Sequence, residues 1–400
     1  MGASKIEANE LRQRVRGLLP ELTELRHHLH SMPELGLEEV RTAELVRQRL
    51  AATGAELAPP YLKTDVVGLL RGRLAAKGEP ACVLLRADLD ALPLEEKRER
   101  EWKSRSPGRA HACGHDGHTT MLLGAAAVLA ALSERFAGTV RFVFQPGEEE
   151  LAGGQRLIQH GLLEAPPRAS AAFALHGWPG LPEGVLTAVP GPAMAAADWF
   201  SIIVKGKGGH GAKPHTTIDP VVTAAQVITA LQTIVSRNVD PSQPAVISVC
   251  TIQGGKATNV IPEQVRLEGT VRYFERDLKH LIRTRMEEVV RGTCEAAGAE
   301  AAFEYRDGYI PLVNDPGLVR FARQTVQAYL GDGAWLEGPE RTMGAEDFAF
   351  YLERLPGVLL LLGLGEGWPN LHSPEFDFND RVLETGILTL VSLALERLAA

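Results

Sequence analysis

Residues 140–150 have the sequence VRFVFQPGEEE, in which a strand-forming run ends in three glutamates. The run Val140–Gln145 predicts a strand that is buried on both faces, as strands are in parallel sheets. Two more strand-like segments and two segments with apolar residues at helical spacing lie nearby: 83–87 (VLLRA), 171–176 (AAFALH), 117–136 and 151–163. This alternation of strands and helices predicts an α/β domain with a largely parallel sheet.

The order of elements changes after the turn-forming sequence VPGP at 189–192. The pattern there predicts strand, helix, strand, strand, helix, strand, which is the ferredoxin-like order; the segments are 199–205, 220–236, 245–252, 264–274, 276–297 and 301–305. Beyond Gly308 the pattern predicts helix 316–330, strand 357–364 and helix 382–398. We therefore expect an α/β domain with a mixed, largely parallel sheet (1–190 and 307–400). A ferredoxin-like α+β domain (191–306) is inserted into it.

Composition excludes several classes of protein. The 400 residues are 45% hydrophobic and 23% charged, which is ordinary for a globular chain of two domains. The formal charge of −8 has no block of Lys or Arg to neutralise a phosphate backbone, so we expect no nucleic-acid partner. The apolar run 358–364 is far shorter than the roughly 20 residues of a membrane span. The polar N-terminal sequence MGASKIEANE lacks a secretory leader, and we expect a cytoplasmic protein.

Metal-ligating residue types are concentrated in residues 111–118, HACGHDGH. Cys113 and His115 are one residue apart in a glycine-containing turn, so a thiolate and an imidazole can bind one ion or bridge two. The alternative is a solvated polar turn. Five residues of metal-ligating type within eight positions favour a metal site over that alternative.

Three further segments place ligand types after predicted strands. QPGEEE (145–150) supplies carboxylates, although acidic residues in a first helical turn also occur for purely structural reasons. His176 ends the strand in ALHGW, and His372 lies in NLHSPEF after strand 357–364. Because the carboxyl ends of parallel strands share one edge of a sheet, these residues are expected to meet at one site.

The motifs together resemble a known family. They are HACGHDGH, LRADLDALP (85–93), FQPGEEE (144–150), ALHG (174–177), GKGGHGAKPH (206–215), NVIP (259–262), MGAEDFAFY (343–351) and LHSPEF (371–376). The sequence resembles the aminoacylase and carboxypeptidase-like co-catalytic metallopeptidases. It is most similar to their amidohydrolase branch of hippurate hydrolases, N-acyl-amino-acid amidohydrolases and auxin-conjugate hydrolases. The resemblance runs from about Leu25 to the C-terminus, with the motifs in order.

The resemblance implies two divalent metal ions per subunit, with zinc, manganese, cobalt and nickel all suited to the ligand types. Their implied ligands are Cys113, which bridges the ions, and His115, Glu149, His176 and His372. Glu148 is the implied general base. The wider superfamily has His-x-Asp where this chain has Arg86-Ala87-Asp88, so we expect His115 to substitute for that histidine and Asp88 to keep an orienting role. In the inserted domain, the resemblance implies His210 as oxyanion stabiliser and Asn259 and Arg272 as ligands of the substrate carboxylate.

The expected reaction is hydrolysis of the amide bond of an N-acyl amino acid, a small-molecule substrate, to a carboxylic acid and a free amino acid. A dipeptidase or carboxypeptidase using the same dinuclear site is an alternative. A cysteine hydrolase with Cys113 as nucleophile is another, but it leaves Glu148, Glu149, His176 and His372 without a role. A binding protein that has lost catalysis would lack a base or a ligand, and none is missing. The domain formed by 1–190 and 307–400 is then the catalytic metal-binding domain, and 191–306 is the lid and dimerisation domain. We expect a homodimer or a higher homo-oligomer that pairs through the inserted domain, because its sheet has an unpaired edge strand.

Overall fold

The computed structural model describes residues 6–75, 80–338 and 340–399. Residues 1–5, which carry part of the expectation of a cytoplasmic protein, lie outside this range. Among the described helices, none is long and apolar enough to cross a membrane. The chain forms two compact units: a larger unit of Met1–Gly191, Val313–Glu340 and Asp347–Ala400, and a smaller unit of Pro192–Leu312 and Arg341–Glu346.

The described residues form helices and strands along the whole chain. The α-helices are α1 (Ala8–Ser31), α2 (Val40–Ala52), α3 (His115–Ala131), α4 (Glu148–Leu151), α5 (Gly153–Gln159), α6 (Pro220–Arg237), α7 (Arg276–Ala296), α8 (Pro316–Leu330), α9 (Ala349–Arg354) and α10 (Leu383–Ala399). The strands are β1 (Glu56–Leu57), β2 (Val66–Arg71), β3 (Cys82–Asp88), β4 (Thr139–Gln145), β5 (Ala171–Pro179), β6 (Leu186–Thr187), β7 (Gly191–Met194), β8 (Ala196–Lys205), β9 (Gly209–His210), β10 (Ala245–Gly254), β11 (Val260–Ile261), β12 (Gln264–Tyr273), β13 (Glu300–Tyr309), β14 (Leu312–Asn314) and β15 (Gly357–Gly365).

The sheet of the larger unit has the strand order β1-β2-β4-β3-β5-β15-β6 within the described residues. Its central strands β4, β3, β5 and β15 pair in parallel, while the pairs β1–β2, β2–β4 and β15–β6 at its two sides are antiparallel. Every residue of β3 and β4 is buried, as expected for strands covered by helices on both faces. The predicted fold class, an α/β domain with a mixed sheet, is confirmed.

Helix α3 packs against α1, α10 and β3, and most of its residues are buried. Its contact with α10 depends on Gly386. A Cβ atom at that position would lie 1.9 Å from the Sδ atom of Met121, closer than any real contact. The close approach of these helices fixes the position of the turn from which α3 begins.

The helix predicted over 151–163 is wrong in its bounds. The structure has α4 and α5 instead, separated at Ala152, whose φ of 48° lies in the left-handed region. Gly153 explains the break, because the chain returns so close to Pro146 that a Cβ at Gly153 would lie 1.7 Å from the Pro146 carbonyl oxygen. The two glutamates of interest therefore lie inside a four-residue helix.

The smaller unit follows the predicted order, with β8, α6, β10, β12, α7 and β13 in succession. Its main sheet has the order β10-β12-β8-β13, and the pairs are antiparallel. Buried residues alternate along β12, and the buried face packs with α6 and α7 into one apolar core. β10 and β13 are the edges of this sheet. That this unit serves as a lid and pairing domain stays a prediction.

Candidate active site

The predicted ligands of the larger unit lie near the carboxyl ends of the parallel strands. His176 lies within β5, which continues three residues further to Pro179, so the prediction that His176 ends the strand is wrong. Cys113 and His115 lie where α3 begins, and Glu149 lies in α4, directly after β4. Cys113, His115 and His176 have ligand atoms within 4.8 Å of one another, and so do Cys113, Glu149 and His372. The two groups share the thiol of Cys113. The structure thus brings all five residues together.

Hydrogen bonds fix the orientation of two of the imidazoles. His176 Nδ1 lies 2.9 Å from the carbonyl oxygen of Gly177, and His115 Nδ1 lies 2.8 Å from that of Asp90. A carbonyl oxygen only accepts, so each Nδ1 carries the hydrogen and each Nε2 is available as a ligand atom. His176 Nε2 lies 3.5 Å from Cys113 Sγ, and His372 Nε2 lies 3.3 Å from Glu149 Oε2.

Unsatisfied atoms indicate that this cluster fits a cation. His115 Nε2 and Glu149 Oε1 are buried and have no hydrogen-bond partner among the described residues. Each such atom costs about 1–3 kcal/mol unless something binds it. In addition, His372 has a φ of 61°, which is strained for a residue that is not glycine, and such strain is concentrated at functional sites. Thiolate, imidazole and carboxylate ligands at this spacing suit divalent transition metals.

The electrostatics point to the same conclusion. Burial and the carboxylates of Glu149, Glu148 and Asp88 raise the pKa of the Cys113 thiol well above its usual value. Burial opposes a charge on His115, but the carboxylates of Asp88 and Asp90 outweigh it and raise its pKa to about 10. The cluster therefore has an excess of negative groups, which a bound cation would offset.

Asp88 contacts a histidine to which the sequence analysis gave no role. Its Oδ1 accepts a hydrogen bond of 2.7 Å from His118 Nδ1, and His118 Nε2 in turn accepts from the backbone N–H of Gly177. Both ring nitrogens of His118 are therefore occupied. Asp88 Oδ2 lies 3.8 Å from His115 Nε2. Asp88 thus lies at the edge of the cluster, next to His115.

Arg86, at the position of the superfamily histidine, is buried beneath the cluster. Its guanidinium contacts Asp88 at 2.6 Å, Asp347 at 2.8 Å and Gln145 at 3.0 Å. The backbone N–H of Asp347 donates to Glu148 Oε1 over 3.2 Å. Arg86 therefore supports the expected base through the segment that begins at Asp347.

Comparisons with known proteins agree with this geometry. The sequence pattern of peptidase family M20/M25/M40 matches residues 84–396. The chain belongs to this family. It is 37% identical to an N-acetylcysteine deacetylase of Bacillus subtilis over 93% of this chain and 96% of the relative. It is also 37% identical to the IAA-amino acid hydrolase ILR1-like 2 of Arabidopsis thaliana, over 94% and 85% of the two chains.

A solved structure of the M20 family gives a similar result. The YXEP protein of Bacillus subtilis, described as a dinuclear metal binding peptidase, is 33% identical. It superposes with a TM-score of 0.82 over 96% of this chain and 99% of that one. The family predicted from the motifs is confirmed, and this M20 chain is a hydrolase acting on amide bonds.

Three predicted residues of the M20 chain lie in the smaller unit. His210 pairs with Val260 between β9 and β11, and the backbone N–H of Gly211 donates to the carbonyl oxygen of Asn259 over 2.8 Å. The structure therefore brings His210 and Asn259 side by side. Arg272 lies on β12, where it lines a cavity of about 560 Å³ together with Trp199 and Arg306. Their roles toward the substrate stay predictions.

The sequence analysis missed the residues that hold the cluster in place. Asp116, next to His115, accepts a 2.7 Å hydrogen bond from His30 Nδ1 on α1. Arg26, also on α1, contacts Asp377 at 2.6 Å and so reaches the loop that carries His372. The resemblance begins at about Leu25, and residues 25–30 (LRHHLH) have basic side chains on a partly buried helix. This concentration of basic side chains was the available signal.

Arg86→Met tests the buried support of the site. The substitution leaves Asp88 and Asp347 buried without their cation, so we expect a loss of about 3–5 kcal/mol in stability to urea, together with a loss of activity. Arg71→Met is the control, because Arg71 forms an exposed ion pair with Glu56 and its removal should cost under about 1 kcal/mol. Equal free energies of unfolding for the two variants would contradict the idea that Arg86 stabilises the buried carboxylates.

Proposed function

We propose that this M20 chain hydrolyses the amide bond of N-acyl amino acids or related amide conjugates, with two divalent metal ions held at the Cys113 cluster. The observation that carries the proposal is that Cys113 belongs to two of the ligand groups, so its thiolate would be able to hold either ion. The named activities of the deacetylase and the IAA-amino acid hydrolase support a substrate with an acyl group on an amino acid.

The proposed ligands are Cys113, His115, Glu149, His176 and His372, and their types suit zinc, manganese, cobalt or nickel. When bound, the two cations lower the pKa of a water molecule toward neutral and polarise the amide carbonyl. The protein must then supply a base and bind the rest of the substrate. Small-molecule substrates fit this requirement, and we propose a cytoplasmic location for the reaction.

Glu148 is the proposed base. It is buried, it precedes Glu149 in α4, and the Asp347 N–H holds its Oε1. Both adjacent glutamates have an oxygen within 4.8 Å of a His115 nitrogen, but their other contacts differ. Glu148 Oε1 accepts from the Asp347 N–H, whereas Glu149 Oε2 lies 3.3 Å from His372 Nε2. Glu148 accepts the proton of the attacking water and delivers it to the leaving nitrogen, while Glu149 remains a ligand.

We assign the remaining roles toward the substrate to residues of the smaller unit. The imidazole of His210 stabilises negative charge on the carbonyl oxygen, while Asn259 and Arg272 bind the substrate carboxylate. Among the described residues, no carboxylate forms an ion pair with Arg272. Its planar guanidinium can therefore bind a carboxylate of the substrate. Asp88 orients the cluster through His118 and His115.

A cysteine hydrolase is the second candidate, because Cys113 Sγ lies 3.5 Å from His176 Nε2. A nucleophilic cysteine needs a lowered pKa, whereas burial and three carboxylates raise the pKa of this thiol. This candidate also assigns nothing to Glu149 or His372. We therefore favour the metal-dependent reaction.

Removal of metal tests the two candidates directly. Dialysis against a chelator should lower hydrolysis of N-acetylcysteine, hippurate, an indole-3-acetyl amino acid and a dipeptide by at least about tenfold, and zinc, manganese, cobalt or nickel should restore it. Comparing the four substrates also identifies the acyl group and separates a deacylase from a dipeptidase. Full activity after chelation, together with inactivation by thiol alkylation, would establish the cysteine hydrolase instead.

The roles of the two glutamates are separable. Glu148→Gln should retain both metals but lose about 10²- to 10⁴-fold in kcat, because it removes proton transfer and leaves the ligands intact. Glu149→Gln should lose metal as measured by elemental analysis. The neighbouring Glu150→Gln serves as the control, with both properties close to those of the unchanged protein. If Glu148→Gln lost the metal and Glu149→Gln kept it, the two assignments would have to be exchanged.

We also propose that the chain is a homodimer that pairs through β10 and α6. The second half of β10 is exposed at the sheet edge, and Val222 on α6 is 56% exposed. Sedimentation should give a mass twice that of the chain, and Val222→Glu should weaken the dimer by about tenfold or more. Leu281→Glu on α7, at another exposed apolar position, should leave the dimer unchanged. A monomer mass for the unchanged protein would refute the proposal.

A further inference from the structure

The helix that carries Glu148 and Glu149 is too short to be stabilised by its own hydrogen bonds. α4 has four residues, begins after Gly147 with a φ of 65° and ends before Ala152 with a φ of 48°. So short a helix has almost no internal hydrogen bonds, and the N–H groups of its first turn need acceptors from elsewhere. The directions of the two glutamates therefore depend on whatever accepts those hydrogen bonds.

Glu39 is one of the acceptors. It is fully buried just before α2, and its Oε1 accepts from the backbone N–H of Gly147 over 2.9 Å. Its Oε2 accepts from the Thr64 hydroxyl over 2.8 Å, which fixes the carboxylate plane. Glu39 therefore holds Gly147, the residue that directly precedes α4.

Asp90 is a second acceptor. Its Oδ2 accepts from the backbone N–H of Glu149 over 3.1 Å. Its Oδ1 lies 3.3 Å from Nδ1 of His115, which donates to the Asp90 carbonyl oxygen. Asp90 thus touches two proposed ligands that come from different segments of the chain.

Burying the carboxylates of Glu39 and Asp90 close together is energetically unfavourable. Burial and the nearby carboxylate of Asp90 raise the pKa of Glu39 to about 7. Two carboxylates in one buried region repel each other, so a neutral acceptor would serve stability better. Their presence behind the Glu148–Glu149 pair favours a role in the site over a role in stability alone.

We propose that Glu39 and Asp90 are positioning residues that set the directions of the two adjacent glutamates. Glu39 fixes the start of α4 and thereby the direction of Glu148. Asp90 fixes Glu149 relative to His115. This inference rests on the proposed function, in which Glu148 is the base and Glu149 a ligand. Neither Glu39 nor Asp90 is assigned a contact with the substrate.

The first experiment concerns Glu39. Glu39→Ala should lower kcat by about 10- to 100-fold with KM within about threefold and with metal content unchanged, because it displaces a base without removing a ligand. Glu39→Gln should restore kcat to within about threefold, since the amide oxygen still accepts from Gly147. Thr64→Val, which frees the carboxylate without removing it, should give an intermediate kcat and serves as the test if Glu39→Ala does not fold.

Asp90→Ala should show the complementary defect. We expect its metal dissociation constants, measured by competition with a chelator and without substrate, to rise by about 10- to 100-fold. The visible spectrum of the cobalt-loaded protein should change as well, whereas the spectrum of Glu39→Ala should match that of the unchanged protein. Because metal binding is measured without substrate, failure of this inference is distinguishable from failure of the proposed amide hydrolysis.

Glu34→Ala is the matched control. Glu34 is another buried carboxylate of the same segment, but its oxygens accept from the backbone N–H groups of Arg41 and Thr42 at the start of α2. Its loss should lower the unfolding temperature and leave kcat and metal affinity unchanged. The inference is overturned if Glu34→Ala lowers kcat as much as Glu39→Ala, if Glu39→Ala keeps its kcat, or if Asp90→Ala binds metal as the unchanged protein does.

Discussion

The structure depends on one geometric constraint, which is that parallel strands end on the same side of their sheet. In the larger unit, β3, β4 and β5 are parallel or joined through parallel pairs, and the segments that follow them converge. A cysteine, histidines and glutamates that are far apart in the sequence thereby meet within a few ångströms. Burial on both faces of β3 and β4 keeps water away from the base of this cluster, so its charges interact strongly.

Those interactions explain why the buried positive groups matter as much as the acidic ones. Arg86 contacts two carboxylates under the cluster, and Arg26 and His30 on α1 contact others around it. Each contact compensates a charge that would otherwise be expensive to bury. Arg86, Arg26 and His30 thus compensate acidic residues around the site. The buried Oε1 of Glu149, by contrast, has no hydrogen-bond partner among the described residues, and a ligand is expected there.

The sequence predicted the strands of seven or more residues (β3, β4, β5, β8, β10, β12, β13 and β15), the helices α3, α6, α7, α8 and α10, and the site residues near strand ends, because a hydrophobic pattern leaves a local signal. No element was predicted at α1, α2, α9 or the shorter strands. The sequence did not predict the break at Ala152, which arises from a close approach between Gly153 and Pro146. Nor did it predict the parts played by Glu39, Asp90, Asp347 and His118. Their contacts are with backbone groups or with residues far along the chain, and such contacts leave no periodic pattern in a single sequence. That Arg86 stands in place of a histidine was visible in the sequence, whereas its contacts with Asp88, Asp347 and Gln145 were not.

Arg86 has a consequence for how the site responds to its surroundings. A guanidinium keeps its proton at every pH at which proteins remain folded, unlike the imidazole found at this position elsewhere in the superfamily. Arg86 therefore keeps its positive charge beneath the cluster. A change in pH leaves the charge of the Arg86 guanidinium unchanged.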